Sequence, residues 1–414
     1  MAITVDTART LDEADPLARF RDRFVIDDPA LVYLDGNSLG RLSLDAREAV
    51  TATVAAWGGE LIRAWDGWLD LPERVGDRIA EVCLGVHPGE VVVADSTTVN
   101  LYRLAVAALD ARPGRRVIVT DRANFPTDRY VLEGIAAARD LEIRWIETDP
   151  IEGVQPGDVA RAFEAGRPDE VALVTLSAVD YRSAAMADVG AITALAHEAG
   201  ALALWDLSHA VGSVPLDLER DGVDLAVGCT YKYLNGGPGA PAFLYVRREL
   251  QDELRNPIQG WFGQRDQFEM GPTYDPAPGI RRWLVGTPPI LGVAGVAAGV
   301  ELVAEAGIDA IRAKAVALTT LAVERFDAWL APHGFSLGSP RNASRRGAHV
   351  TVRRADARAL TSALIAHGVV PDFRAPDGIR LGLSPLTTRF ADVEAGLDRL
   401  RRLAASVSTS SVST

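Results

Sequence analysis

The chain has 414 residues, a net charge of −13 at pH 7 and a pI near 5.0. Hydrophobic residues make up 48% and charged residues 24%, which is typical of a soluble globular protein, and the length is sufficient for two domains. The strong negative charge argues against a nucleic acid or an anionic membrane as a partner.

Cysteine usage and apolar runs narrow the class of protein further. Cys83 and Cys229 are the only cysteines and lie far apart, which argues against a disulfide framework and fits a reducing cytoplasm. The first residues lack the basic start and apolar run of a signal peptide. The most apolar long stretch, Ile290 to Val303, is too short to span a membrane. We therefore expect a cytoplasmic protein.

The N-terminal part of the chain is predicted to be mostly helical. The expected helices are Asp15–Arg23, 44–68 and Leu71–Val86. Between the first two, Val32–Leu34 is typical of a short strand that is followed by turns. Within these turns, Asn37 and Ser38 are either ordinary turn residues, which is the slightly favoured interpretation, or ligand contacts at a domain junction.

Three tryptophans are concentrated around the end of the second expected helix. Trp57, Trp65 and Trp68 are expected to belong mostly to the core, because large aromatic side chains usually do. Trp68 could instead line a pocket.

From residue 91 onward, short apolar strands alternate with helical patterns. The expected strands are Val91–Ala94, Arg116–Thr120, Glu142–Ile146, Val171–Ser177, Leu202–Asp206, Leu225–Gly228 and Ala242–Val246. The expected helices between the earlier strands are near 97–110, 126–139, 157–166 and 187–200. This alternation predicts a largely parallel sheet with helices on both faces. In such sheets a ligand binds at the carboxyl ends of the strands.

Polar residues follow several of these strands. Hydroxyl groups at 96–98 precede a helix, which is a natural phosphate site, although Ser96 or Thr97 could simply cap that helix. Phe125 precedes Pro126 at a plausible helix start. Further polar side chains at strand ends are Ser177, Asp206 and His209.

Lysine is rare in this sequence. Lys232 and Lys314 are the only lysines among 43 Lys and Arg residues. A lysine amine can form a Schiff base whereas a guanidinium cannot, although one lysine alone could be a chance residue on a loop. Lys232 lies between two tyrosines and before a Gly-rich turn. Together with an aromatic plate, a phosphate cradle and Asp206 to keep a ring nitrogen protonated, it indicates a pyridoxal phosphate pocket.

Longer segments of the chain resemble the kynureninase family of fold-type I pyridoxal phosphate enzymes, nearly from end to end. The matching segments are YLDGNSLG at 33–40, DSTTVNLYRL at 95–104, NFPTD at 124–128, DLSHAVG at 206–212, YKYLNGGPGAPAF at 231–243, GWFG at 260–263, GTPPI at 286–290 and GIRLGLSPL at 378–386. The resemblance implies an α/β fold with a mostly parallel central sheet flanked by helices and a smaller α+β C-terminal domain.

The resemblance also implies roles for individual residues. Lys232 would link covalently to pyridoxal 5'-phosphate and move the substrate α-proton, and Asp206 would pair with the ring nitrogen. The remaining cofactor contacts would be Thr97, Thr98 and Tyr231 at the phosphate, Phe125 stacked on the ring, and Asp128, Ser177 and His209 around it. Trp261 and Thr287 would reach the phosphate from the second subunit of a homodimer with shared active sites. No residue is predicted to bind a metal.

Arg380 is the expected clamp for the substrate α-carboxylate. It lies in the short apolar stretch Gly378–Leu383, where its side chain should point away from Ile379 and Leu381. By position alone, an exposed arginine in a surface ion pair is the more common case. The resemblance reverses this preference because an arginine fork suits a carboxylate.

The implied reaction is hydrolysis of the Cβ–Cγ bond of L-kynurenine or 3-hydroxy-L-kynurenine, giving L-alanine and anthranilate or 3-hydroxyanthranilate. Such chemistry belongs to tryptophan catabolism and NAD biosynthesis, and Tyr231 is the candidate proton donor. The sequence departs from the family pattern at Ala178–Ala184 and at Gln264. A modified kynurenine in a biosynthetic pathway, another class V aminotransferase-type reaction such as transamination or desulfuration, and a silent ligand-binding homologue therefore stay open.

The C-terminal third is expected to form the smaller domain. Its expected helices are 289–306, 308–330, 356–367 and 390–404, and its expected strands are 348–353 and 379–383. The expected division of the chain is an N-terminal segment 1–42 that packs with the small domain, a large cofactor domain 43–288, the small domain 289–405 and a flexible tail 406–414.

Overall fold

The computed structural model describes residues 6–410 and places a seven-stranded sheet at the centre of the chain. The strands of this sheet are β2 (Val91–Val93), β3 (Val117–Asp121), β4 (Glu142–Ile146), β5 (Val171–Ser177), β6 (Leu202–Asp206), β7 (Leu225–Gly228) and β8 (Phe243–Val246). Their order is β2-β8-β7-β6-β5-β3-β4, and only β8 runs antiparallel to its neighbours. The predicted mostly parallel sheet is confirmed.

Helices cover both faces of the sheet. The helices of the large part are α2 (Leu44–Glu60), α3 (Trp65–Trp68), α4 (Leu71–Ile79), α5 (Thr97–Asp110), α6 (Pro126–Arg139), α7 (Pro156–Glu164), α8 (Val189–Glu198) and α9 (Ile290–Ala306). Val91 and Val93 point into the core shared with α4 and α8, whereas Val92 points into the core shared with α5. Successive residues of a strand face opposite sides of the sheet. Because helices cover both sides here, a strand that is apolar at every position is expected.

A second, smaller sheet follows in the C-terminal third. It contains β9 (Ser336–Leu337), β10 (His349–Arg353), β12 (Asp372–Arg374) and β13 (Gly378–Gly382), all antiparallel in the order β12-β13-β10-β9. Its helices are α10 (Ile308–Arg325), α11 (Ala357–Ala366) and α12 (Phe390–Ser410). These helices and the apolar side chains of β10 and β13 share one core. The predicted smaller α+β unit is therefore present.

The N-terminal segment joins this smaller unit. Helix α1 (Asp6–Glu13) lies against α12, and β1 (Val32–Tyr33) pairs in parallel with β11 (Val369–Val370). The predicted helix Asp15–Arg23 is wrong in its bounds, because the described helix ends at Glu13 and only a 3-10 turn covers Ala18–Arg23. Pro16 explains the break, since a residue before proline avoids the helical conformation.

Two other expected helix ends also differ. The predicted helix over 44–68 ends at Glu60, where Leu61 takes a positive φ of 55° after Gly58 and Gly59. Helix α12 continues to Ser410, past the expected end at 404, and residues 411–414 of the expected flexible tail lie outside the described residues. Among residues 6–410 no single helix is long and apolar enough to span a membrane, and α9 passes that test only together with the following helix, bent by 82°.

Candidate active site

The carboxyl ends of the parallel strands surround a cavity of about 170 Å³. It is lined by Thr97, Thr98, Phe125, Thr127, Asp128, Ser177, Val179, Tyr181, Asp206, Ser208, His209, Tyr231 and Lys232. Nine of the eleven cofactor residues named from the sequence thus lie in one place. Thr127, Val179, Tyr181 and Ser208 were not named, although each lies within or beside a matching or departing segment.

One end of the cavity is the N-terminus of α5. Ser96 caps this helix by accepting a hydrogen bond from Val99 N, which leaves Thr97 and Thr98 in the first turn. The free backbone N–H groups and the helix dipole favour an anion at this point. Hydroxyl groups beside free N–H groups are well suited to a phosphate.

The turn before α5 is held from behind by a buried guanidinium. Asp95 takes a left-handed φ of 49°, which costs energy for a residue other than glycine. Its carboxylate lies 3.0 Å from Nη2 of Arg103, a fully buried side chain. Arg103 also donates through Nη1 to the carbonyl oxygen of Trp283 at 2.6 Å. The ion pair therefore stabilises the conformation that presents Thr97 and Thr98.

Lys232 lies in the loop after β7 and projects into the cavity. Its Nζ is 2.8 Å from Nε2 of His209. The other lysine of the sequence, Lys314, is buried in an ion pair with Asp15, with 2.6 Å between Nζ and Oδ2. Of the two lysine amines, Lys232 is thus the one placed for chemistry in the cavity.

The N-terminal segment packs directly against the Lys232 loop. Gly40 N donates to the carbonyl oxygen of Tyr231 at 2.8 Å. A Cβ at Gly40 would lie only 2.3 Å from the carbonyl oxygen of Lys232, so a larger residue would displace the loop. This contact holds the segment that contains Asn37 and Ser38 next to the Lys232 loop.

Two carboxyl groups meet opposite the phosphate end. Asp206, at the end of β6, accepts from Ser208 N at 2.7 Å, and Asp128 in the first turn of α6 is hydrogen-bonded to it. Burial raises the pKa of Asp128 well above its ordinary value, and the adjacent Asp206 raises it further. Asp128 is therefore the protonated member, and it donates to Asp206.

The histidines beside Lys232 are held neutral. Burial lowers the pKa of His209 well below its ordinary value, and the positive charges of Lys232 and Arg380 add to this effect. The ring of His349 lies 5.5 Å from that of His209, and its pKa is lowered for the same reasons. Nδ1 of His209 has no hydrogen-bond partner among the described residues. His349 was missed from the sequence because it reaches the site from the other sheet.

Phe125 supplies the aromatic wall of the cavity. It lies just before Pro126, the first residue of α6, and its ring meets that of Tyr181 edge to face at 5.2 Å and 87°. Asn124 joins the next strand to this wall, because its Oδ1 accepts from Ser177 Oγ at 2.7 Å. The aromatic ring is therefore fixed relative to the strand ends.

Arg380 is fully buried, which excludes an exposed surface ion pair. It lies on β13 with Ile379 and Leu381 pointing into the small core, as the alternation predicts. Its Nη2 donates to Ser38 Oγ at 2.7 Å, and Asn37, with its amide oriented to donate to Asp35, accepts from Nε at 3.0 Å. Asn37 and Ser38 are therefore more than ordinary turn residues, since both position Arg380.

The cavity fits pyridoxal phosphate on several independent features. A phosphate site, an aromatic wall, a carboxylate for a ring nitrogen and an amine for an aldehyde occupy separate parts of one enclosed space. The buried Nδ1 of His209, which lines the cavity, has no hydrogen-bond partner among the described residues and can bond to a polar group of the cofactor. The residues that would hold the group are the nine that line the cavity and that the sequence predicts.

Trp261 and Thr287 do not line the cavity of their own chain. Both are exposed, and Trp261 belongs to a separate groove with Gln264. This placement is compatible with a role in a second subunit but does not test it. Their function stays a prediction.

Comparisons with known proteins agree with the site. The model of the kynureninase C-terminal domain matches residues 311–400. The kynureninase of Pseudomonas fluorescens is 42% identical over 92% of this chain and 91% of its own length, and that of Burkholderia pseudomallei (strain 1106a) is 42% identical over 96% and 95%. The apo cysteine desulfurase of Thermococcus onnurineus NA1 has the same fold, with a TM-score of 0.81 at 18% identity over 94% of this chain and 98% of that one. The chain therefore belongs to the kynureninase family of pyridoxal phosphate-dependent hydrolases.

Proposed function

We propose that this kynureninase-family enzyme hydrolyses the Cβ–Cγ bond of L-kynurenine or 3-hydroxy-L-kynurenine, releasing L-alanine and the corresponding anthranilate. The observation that carries the proposal is the joint placement of the Lys232 amine and the Asp128–Asp206 pair in one cavity, with the buried Arg380 bonded to the backbone of Tyr181 in the cavity wall. Bound pyridoxal phosphate supplies an electron-accepting ring that stabilises negative charge at the substrate carbons.

The cavity residues divide the work of holding this group. The N-terminal turn of α5, with Thr97 and Thr98, binds the phosphate. Phe125 would pack against the ring face and Asp206 would offer its carboxylate to the ring nitrogen, while the hydrogen bond from Asp128 would keep that carboxylate in place. His209 and Ser177 contact the remaining polar edge.

Two side chains move protons in the proposed reaction. Nζ of Lys232 takes the α-proton of the substrate and returns it, because it is the amine that lines the cavity. Tyr231 lines the same cavity, and burial raises the pKa of its hydroxyl, so the group stays protonated and able to donate. We assign it the later proton donation to the β-carbon.

Desulfuration is the second candidate, since the similar solved structures include cysteine desulfurases. That chemistry needs a mobile, reactive cysteine. Both cysteines of the chain are buried, and burial raises the pKa of the Cys83 thiol to about 12 and that of Cys229 above its ordinary value. Neither thiol is thus suited to attack, which favours carbon–carbon bond hydrolysis.

We propose that the enzyme is a homodimer with shared sites. An apolar groove of about 510 Å³ lies between α2, α3 and the start of α9, next to Thr287. Trp57, Leu61 and Ile62 in it are 60%, 63% and 77% exposed, which is more than a monomer usually leaves to water. Thr287 directly precedes Pro288 in the groove wall, so a second copy covering this groove would lie beside Thr287. The expectation that Trp57 is a core residue is wrong for the single chain.

The direct test is an assay of both substrates. The purified protein with pyridoxal phosphate should release alanine and a fluorescent anthranilate from kynurenine or 3-hydroxykynurenine, and the ratio of the two kcat/KM values gives the ring preference. Sulfide release from cysteine should be absent. If neither anthranilate forms while the cofactor is bound, the proposed reaction is wrong. We also propose that the enzyme acts in tryptophan catabolism in the cytoplasm. This location and pathway are tested in cells and not by the assay.

A further inference from the structure

The proposed carboxylate clamp already has a carboxylate beside it. Asp372 on β12 pairs directly with Arg380 on β13 in the register of the small sheet. Its Oδ2 lies 2.7 Å from Nη2 of Arg380. The same oxygen lies 2.6 Å from Nε of Arg374, so one carboxylate is shared by two guanidinium groups.

Arg380 contacts Asp372 as an ion pair, and its hydrogen bonds go to other groups. Nη1 donates to the carbonyl oxygen of Tyr181 at 2.6 Å, and Nη2 also donates to Ser38 Oγ at 2.7 Å. Asp35 lies 3.9 Å from Nη2 and contributes a second acidic group. A substrate carboxylate must therefore compete with resident partners for this guanidinium.

We propose that Asp372 is the resident counter-ion of Arg380 and determines how tightly the clamp holds a substrate carboxylate. The inference rests on the proposed role of Arg380 in substrate binding. Asp372 stabilises the empty clamp, and Arg374 retains this carboxylate when the substrate engages Arg380.

The physical reason is the burial of Arg380. An isolated charge in a protein interior is costly, so a fully buried guanidinium needs a permanent anionic partner when no substrate is present. The same partner lowers the net positive charge that an entering carboxylate meets. The clamp then binds a carboxylate more weakly than an unpaired arginine would.

A weakened clamp has a use in the proposed reaction. The substrate offers an aryl ketone side chain in addition to its carboxylate, whereas the product alanine keeps only the amine, the carboxylate and a methyl group. If the clamp were strong, alanine would remain bound after the bond is cleaved. Asp372 weakens the carboxylate contact of substrate and product alike, so alanine leaves readily while the substrate gains further affinity from its aryl ketone.

The test is Asp372→Asn. An amide has nearly the size and shape of a carboxylate, so the change removes the charge and keeps the shape. Titration of the holoenzyme with L-alanine, followed by cofactor absorbance, should show about tenfold tighter binding than in wild type, since one unit charge at ion-pair distance is removed. L-alaninamide, which lacks the carboxylate, should bind unchanged.

Asp377→Asn is the matched control. Asp377 is also paired with an arginine of the small sheet, at 3.0 and 3.1 Å from Arg353, but it has no contact with Arg380. This variant should bind L-alanine like wild type. If it also tightens binding, the effect is one of general charge and the proposal is overturned.

A second variant gives a change of opposite sign. Arg374→Met removes the competing partner, so Asp372 pairs with Arg380 alone and L-alanine should bind several-fold more weakly. Thermal unfolding of each variant identifies those that fold. Unchanged or weaker alanine binding in a folded Asp372→Asn protein overturns the counter-ion role, and unchanged binding in Arg374→Met does so independently.

The proposed clamp itself is tested separately. Arg380→Lys keeps the charge but loses the fork, and it should weaken L-alanine binding strongly. If that variant binds alanine like wild type, Arg380 is not the clamp and the proposed function loses this residue. If Arg380→Lys weakens binding while Asp372→Asn has no effect, only the present inference is wrong.

Discussion

Nearly every positive charge in this protein is a guanidinium, so its two lysines mark positions where an amine has a particular role. Lys314 fills a narrow site beside Asp15, where its ammonium forms a buried ion pair. Lys232 stands in the cavity, with Nζ 2.8 Å from His209. The same residue type therefore serves stability at one position and chemistry at the other.

Lys232→Arg should abolish turnover, because a guanidinium cannot form the covalent link to the cofactor. Borohydride treatment of the wild-type holoenzyme should fix the cofactor to Lys232, as shown by mass spectrometry of a digest. Lys314 should carry no label because its amine is sealed by Asp15. A label on Lys314 would contradict the assignment.

Asp35 makes the stability of the protein depend on pH. Burial raises its pKa from 3.8 to about 6. The folded state thus holds this proton more tightly than the unfolded chain, so the free energy of unfolding falls as the pH rises through this window. Relative to Asp35→Asn, the wild type should lose up to about 3 kcal/mol between pH 4 and pH 7.

Urea unfolding of both proteins at several pH values measures this difference. Asp121 has a pKa raised to about 6 by burial and changes stability in the same direction, but it is present in both proteins and cancels. A constant difference between wild type and Asp35→Asn across the range would show that the pKa of Asp35 is the same in the folded and unfolded states, and would contradict the prediction.

Some residues of the site could be predicted from the sequence and others could not. Lys232, Asp206 and Phe125 were predictable because polar or aromatic residues directly after apolar parallel strands meet at one edge. Asp372 and His349 were not, because they approach from the small sheet, and no local pattern indicates how two distant segments pack. Only the fold brings them to the site.

At the scale of elements, prediction succeeded where local signals agreed. Strands β4 to β7 and helices α5 and α6 have the expected bounds, since apolar runs, a capping serine and Pro126 at a helix start point to the same answer. Strands β9, β11 and β12 are two or three residues long, too short to show a period. Their pairing is a product of tertiary structure.

Helix α5 allows a test of how the phosphate turn is held. Arg103→Met should keep the apolar packing but lose the pairing with Asp95, so the strained turn loses its support. We expect about tenfold weaker binding of pyridoxal phosphate, roughly the free energy of one hydrogen bond to a charged group. Equilibrium titration of the apoenzyme measures it.

Arg144→Met is the control for this change. Arg144 on β4 is also buried. It pairs with the carboxylates of Glu142 at 3.3 Å and Glu170 at 4.0 Å and donates to the carbonyl oxygen of Ala162 at 3.1 Å. It lies on the strand at the far edge of the sheet. Equal loss of cofactor affinity in both variants would mean that Arg103 acts through overall stability alone.

At the scale of the whole molecule, the apolar groove predicts assembly. Leu61→Glu should place a charge in the groove between α2 and α9 and convert the proposed dimer to a monomer in analytical ultracentrifugation. Activity should fall with it, because Trp261 and Thr287 would no longer reach a partner. Ile365→Glu, a change at another exposed apolar residue on α11, should leave the mass unaltered.

The expected division of the chain at 288/289 stays a prediction. Helix α9, just after that point, packs against α2 and α4 and contributes Val296 and Val300 to the core of the large sheet.

In the test of the apolar groove, a dimer that persists after Leu61→Glu would show that the groove is not the interface.

The stretch from Asp35 to Gly40 links the two sites that would bind the substrate, so its length bears on the distance between them. Its end at Gly40 is hydrogen-bonded to the Tyr231 backbone, beside the amine, and its middle residues Asn37 and Ser38 contact Arg380, so a few peptide units span the interval between the amine and carboxylate sites. Peptide units have fixed bond lengths, so this short stretch limits how far apart the two sites can lie. An α-amino acid presents its two charged groups one carbon apart, and a β-amino acid does not. Discrimination between the two therefore depends on this stretch, through its backbone bond to Tyr231 and through the Asn37 and Ser38 side chains that hold Arg380.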